Sequence, residues 1–211
     1  MAERSAAGRS LAAADGHGAE DGVPAVTARL AVPGAAQMRL LGNRLAGLLR
    51  AGDLVVLAGS LGAGKTTLVQ GLGEGMAVRG PVTSPTFVIA RVHPSLRGGP
   101  DLVHADAYRL GSRLEVDDLD LDADLDHSVT VVEWGEGMVE NLAPGYLRVT
   151  IDRPAPGPGI AQAAAGDQWN APGDQQKGTG DQVRFVTVTG YGNRWDAAAG
   201  QLRSVLAEPL R

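Results

Sequence analysis

From residue 59 the chain runs Gly59, Ser60, Leu61, Gly62, Ala63, Gly64, Lys65, Thr66, a fit to GxxxxGK[ST] at every fixed position. The chemistry this spacing supports is the cradling of a polyphosphate. A tightly curled loop converges several backbone N–H groups on phosphate oxygens, and glycine permits the curl. Lys65 supplies a mobile cation for the β and γ phosphates, and the Thr66 hydroxyl is a ligand for Mg²⁺. A helix opening at Lys65 adds the positive end of its dipole and its orphan N–H donors. Leu61, Gly62, Ala63, Gly64, Lys65, Thr66 and Thr67 are therefore the expected nucleotide contacts, with Lys65 also catalytic.

Acids are needed to organise the metal and the attacking water. Val129 to Val132 form a short apolar run that ends in Glu133. A carboxylate at the carboxyl end of such a strand, beside the phosphate loop, is where a second metal-organising acid belongs. Trp134 follows directly and joins the expected nucleotide contacts. Upstream, His104, Asp106 and Tyr108 share one face of a strand, a pattern that fits either a functional face or a solvent-exposed edge. Asp106 is assigned to the attacking water and, with Thr66 and Glu133, to the metal. Three hydroxyls, Thr83, Ser84 and Thr86, sit in a proline-pinned loop that suits a switch reaching the γ-phosphate, or an ordinary turn.

These groups require strands and helices at matching places. Val26, Ala28, Leu30 and Val32 alternate with Thr27, Arg29 and Ala31, which predicts a half-buried strand. Met38, Leu41, Leu45, Leu48 and Leu49 fall at helical spacing and predict a helix over 34–50. A buried strand at 54–58 feeds the loop, and a helix runs from Lys65 to about Met76. Strands are expected at 88–92, 102–109, 129–133, 147–151 and 183–188, and a closing helix over 195–206. Residues 114–126 carry seven acids, among them Asp120 and Glu115; the stretch lacks the glycine and closing glutamate of a calcium loop and reads as a solvated acidic face.

Bulk composition sets the class. The 211 residues carry a formal charge of −5, which argues against direct, strong nucleic-acid binding by the chain alone, since phosphate backbones are held by clustered Lys and Arg. With no cysteine there is no disulfide framework, thiolate metal site or thiol nucleophile. No run approaches a membrane span, and the start lacks the apolar core of a signal peptide. A soluble cytoplasmic protein is expected, without membrane contact. Residues 1–23 read as a disordered leader, and 24–211 as one P-loop domain of the α/β class. A Pro, Gly, Ala, Gln and Asp-rich stretch at about 153–182 reads as a disordered insertion.

Four pieces together resemble one family, the bacterial TsaE (YjeE) proteins: LxGxLGAGKTT at Leu57 to Thr67, SPTF at Ser84 to Phe87, HxDxYRL at His104 to Leu110, and VEW at Val132 to Trp134. Ser60 stands where that family usually has Asp. The resemblance implies a three-layer P-loop domain, a mixed sheet between helices, with ATP and Mg²⁺ held at Gly62 to Thr67. It also implies that ATP hydrolysis supports turnover of the TsaD and TsaB proteins, which make threonylcarbamoyladenosine in tRNA. The tRNA would be met indirectly, through that complex. Without the family, the residues also fit a small-molecule P-loop kinase or a nucleotide-dependent binding switch. Such a kinase needs lid arginines, and Arg91, Arg97, Arg109 and Arg113 are scattered.

Overall fold

The computed structural model describes residues 23–85, 89–110, 115, 125–154 and 183–210. Residues 1–22 of the expected leader, nearly all of the acidic stretch and residues 155–182 of the expected insertion lie outside them, as do Thr86 and Arg113; Arg153, read from sequence as the first residue of that insertion, is instead held in place by its bond to Leu61 O at 2.8 Å.

Among the described residues seven strands form one mixed sheet: β1 (Val26–Val32), β2 (Leu54–Ala58), β3 (Ala90–His93), β4 (Asp101–Asp106), β5 (Ser128–Glu133), β6 (Tyr146–Asp152) and β7 (Arg184–Tyr191). Their spatial order is β1-β7-β6-β2-β5-β4-β3. The inner four, β6, β2, β5 and β4, are parallel, and the flanking pairs β6–β7, β1–β7 and β3–β4 are antiparallel. All five residues of β2 are buried, as a central parallel strand covered on both faces requires. The carboxyl ends of β2, β4, β5 and β6 share one edge, and the site residues expected from sequence gather there.

Among the described residues three helices, α1 (Ala35–Ala46), α2 (Lys65–Met76) and α3 (Asn193–Ala207), share one face of the sheet. Met38, Leu41 and Leu45 of α1, Leu68, Val69 and Leu72 of α2, and Trp195, Ala198 and Leu202 of α3 meet Val55, Leu57, Val131 and Val149 there. The opposite face packs Leu54, Val56, Val103 and Val132 against Leu125, Val139 and Ala143. Among the described residues this third layer consists of two 3₁₀ turns and the segment joining β5 to β6. Helix α1 ends earlier than its periodicity predicts, because Gly47 turns the chain while Leu48 and Leu49 still bond back to Leu45 and Ala46.

The helix carrying Lys65 and Thr66 is seated by glycines. A Cβ on Gly42 of α1 would strike the carbonyl oxygen of Leu68, and one on Gly71 of α2 would strike that of Arg39. The two backbones therefore approach as closely as hydrogen allows, which fixes α2 against α1. No helix among the described residues is long and apolar enough to cross a membrane.

Candidate functional site

Strand β2 delivers the chain to Gly59, whose φ of 132° is open to glycine and whose Cβ, if present, would collide with the carbonyl oxygen of Ile151. The loop then curls, Ala63 N–H bonding to Ser60 O at 3.1 Å, and Gly64 enters α2 at φ 115°. Lys65 opens the helix. Its side chain folds back across the loop, Nζ donating to Gly59 O at 2.7 Å and Ser60 O at 3.3 Å. It is only 4 % exposed, and this burial lowers its pKa, with Glu133 and Asp106 opposing the shift and Arg153 adding to it. The ammonium also lies 3.7 Å from the centroid of the Trp134 ring, within cation–π range.

Glu133 and Asp106 stand side by side at the ends of β5 and β4, paired in register. Thr66 Oγ1 donates to Glu133 Oε1 at 2.8 Å, so the first turn of α2 is tied to β5 across the site. The same oxygen accepts from His104 Nε2 at 3.0 Å, which places the imidazole proton on Nε2. His104 is fully buried, and its Nδ1 has no hydrogen-bond partner. Asp106 is 6 % exposed and accepts the Tyr108 N–H at 3.0 Å. The reading of this face as a solvent-exposed edge is therefore overturned for His104 and Asp106: β3 lies outside β4, and α2 covers the face. Tyr108, beyond the strand, is 62 % exposed.

Trp134 leaves β5 at φ 62°, a left-handed conformation that is strained for a bulky residue. That turn lays its ring over Lys65 and 5.2 Å from the Tyr108 ring. A cavity of about 310 Å³ opens here, lined by Leu61, Gly62, Gly64, Lys65, Thr66, Thr67, Ser84, Asp106, Tyr108, Glu133 and Trp134. Its size suits a small-molecule ligand.

Of the residues assigned from sequence to the nucleotide, the metal or the attacking water, all line this cavity except Ala63, which is buried. Ser84 of the hydroxyl loop reaches it, while Thr83 is held by Arg91 at 3.1 Å. Met38 of α1 packs against Gly64 at the base of the loop. Sequence reasoning gave no role to His104, and it missed Arg153 and Arg184. Both arginines donate to loop carbonyls, Arg153 Nη2 to Leu61 O at 2.8 Å and Arg184 Nε to Ala63 O at 3.3 Å.

Comparison with known proteins gives a family and a fold. Residues 32–156 match the family model described as threonylcarbamoyl adenosine biosynthesis protein TsaE. A Streptomyces coelicolor protein named tRNA threonylcarbamoyladenosine biosynthesis protein TsaE is 61% identical over 162 residues, covering 76% of this chain and 95% of that one. Its Bacillus subtilis namesake is 30% identical over 79% of this chain and 87% of its own. The crystal structure of Bacillus subtilis YdiB superposes with a TM-score of 0.60 at 24% identity, over 84% of this chain and 95% of that one, a likeness of fold. By its motifs, its site and these matches, the chain belongs to the TsaE family of tRNA threonylcarbamoyladenosine biosynthesis proteins.

Proposed function

We propose that this protein is a cytoplasmic, Mg²⁺-dependent ATPase whose turnover serves a TsaD–TsaB complex in forming threonylcarbamoyladenosine in tRNA. One observation carries the reading: the Thr66 hydroxyl and the Glu133 carboxylate meet at 2.8 Å beside Lys65, in one cavity. A phosphate loop alone binds anions, whereas a loop joined to a buried acid on the next strand is equipped to hold a metal nucleotide.

The donor set fits the metal. Hydroxyl and carboxylate oxygens are the hard ligands Mg²⁺ takes, and it needs only one or two from protein when phosphates and waters supply the rest. Thr66 and Glu133 would hold it, with Asp106 adjacent. When bound, the metal would supply neutralisation of the phosphate charge. Lys65 exchanges the carbonyls of Gly59 and Ser60 for phosphate oxygens, a favourable exchange because its buried ammonium then gains anionic partners. Asp106 orients the attacking water and accepts its proton while the bond from the γ phosphorus to the bridging oxygen breaks. His104 holds Glu133 in one rotamer through its Nε2–H.

The test is ATP hydrolysis by the pure protein, alone and then with the TsaD–TsaB complex and tRNA. Slow turnover alone and acceleration by the complex are expected. Fast turnover alone, or phosphate transfer to a small acceptor, would favour a kinase; ATP-dependent docking without required hydrolysis would favour a binding switch.

A further inference from the structure

The arginines that neutralise a transferring phosphoryl group are usually sought in a lid or a partner. Here two arginines reach the phosphate loop from the β6–β7 side, opposite Glu133 and Asp106. Strand β6 ends at Asp152, so Arg153 emerges at the carboxyl edge of the sheet, and Arg184 opens the returning strand at the same edge. Arg184 is 9 % exposed and bonds the loop at Ala63 O. It is fixed in place as a support of the loop.

Arg153 is placed differently. It is exposed, and its Nη2 donates to the carbonyl of Leu61 at 2.8 Å. Its guanidinium lies against Gly62, where an added Cβ would come within 2.5 Å of Nη2. Leu61 and Gly62 both line the cavity. The charge of Arg153 is felt at Lys65 and at Arg184, opposing protonation of each. Three cations thus converge on one loop, and the hydrogen bond Arg153 makes to it among the described residues is to a neutral carbonyl. Converging like charges are unfavourable until an anion lies among them, and the planar fork of a guanidinium suits two phosphate oxygens better than a single carbonyl.

We propose that Arg153 is an arginine finger supplied in cis: it leaves Leu61 O to bind the terminal phosphate oxygens of ATP as the γ-phosphoryl group transfers to water. The proposal rests on the ATPase reading. In the step, water oxygen bonds to the γ phosphorus, the bond to the β–γ bridging oxygen breaks, and its electron pair stays on ADP. The water proton goes to Asp106. Arg153 gives up no proton and acts by charge alone, where charge develops most.

The test uses the full chain with Arg153→Ala and Arg153→Lys, and Lys65→Ala as the variant defective in nucleotide binding. Melting temperature, affinities for Mg²⁺-ATP and Mg²⁺-ADP, capture of ADP with aluminium fluoride, and hydrolysis with the TsaD–TsaB complex are compared. With Arg153→Ala, hydrolysis should fall about a thousandfold, the low end of what an arginine finger contributes. Capture of the aluminium fluoride complex should be lost and ATP affinity should fall, with ADP affinity and melting temperature unchanged; Arg153→Lys should regain ATP affinity without regaining capture. Wild-type hydrolysis and capture in Arg153→Ala, or equal losses of ADP and ATP affinity, would make Arg153 a support of the loop and overturn the proposal. Wild-type protein that neither binds nor hydrolyses ATP would overturn the ATPase reading, and the proposal with it.

Discussion

Glu133 carries two duties that substitution can separate. Its Oε1 accepts from Thr66 at 2.8 Å and from His104 at 3.0 Å, and its charge is assigned to the metal. In Glu133→Ala, His104, which has no exposure and no partner at Nδ1, is left with an unpaired Nε2–H as well. A buried donor left unsatisfied costs about 1–3 kcal/mol. For a chain of this size each kcal/mol lowers the melting temperature by about 2–4 °C, so a fall of roughly 2–12 °C is expected. Glu133→Gln keeps an oxygen acceptor for both neighbours and loses only the charge, so its destabilisation is about 1 kcal/mol or less. Both variants should lose the increase in ATP affinity that Mg²⁺ provides. Asp106→Ala should keep that increase yet hydrolyse about 10²–10⁴-fold more slowly, the usual span for a general base. Calorimetric scans and ATP titrations with and without Mg²⁺ read both effects. Full Mg²⁺ enhancement in Glu133→Gln would refute the metal assignment, and its loss in Asp106→Ala alone would reverse the two roles.

Other expectations concern the scaffold and its reporter. Arg194 makes two 3.0 Å bonds to Asp53, whose side chain is 4 % exposed; Arg194→Ala leaves that carboxylate buried without its cation and should cost about 3–5 kcal/mol in urea unfolding. A loss near zero there would show that Asp53 finds water instead. Gly71→Ala drives a methyl group into the Arg39 carbonyl, which cannot swing aside, and should destabilise by about 1–3 kcal/mol or more. Gly200→Ala is the contrasting case, since nothing lies within 4 Å of its added Cβ in α3, and melting should rise by the equivalent of about 0.5–1 kcal/mol. Trp134 stands 3.7 Å from the Lys65 ammonium, so ATP should change its fluorescence as Lys65 moves to phosphate; a full signal remaining in Trp134→Phe would place the change elsewhere.

What the sequence made legible is what local rules govern. The alternation of 26–32, the apolar run of 54–58 and the GKT loop each depend on neighbours within a few residues, and they fold as β1, β2 and the start of α2. Glu133 could be placed because a strand, an acid and a loop have only a few ways to meet in a parallel sheet. His104 could not be assigned: alternation states that residues share a face, but whether β3 stands outside that strand is a matter of sheet order. Arg153 and Arg184 were hidden for a similar reason. They touch carbonyls 92 and 121 residues away, through an antiparallel return whose register no local pattern specifies. The left-handed turn at Trp134 is likewise invisible to propensity, which disfavours it.

The central claim is that ATP chemistry at Lys65 is required for tRNA modification. Its most direct measurement is the yield of threonylcarbamoyladenosine over many turnovers in a reconstituted reaction of this protein, the TsaD–TsaB complex and tRNA, comparing wild type with Lys65→Ala. Lys65 provides the cation that the phosphate loop places over the cavity, so the variant should fold, fail to hold Mg²⁺-ATP and support no more modification than a reaction lacking the protein. Wild-type yield from Lys65→Ala would contradict the account.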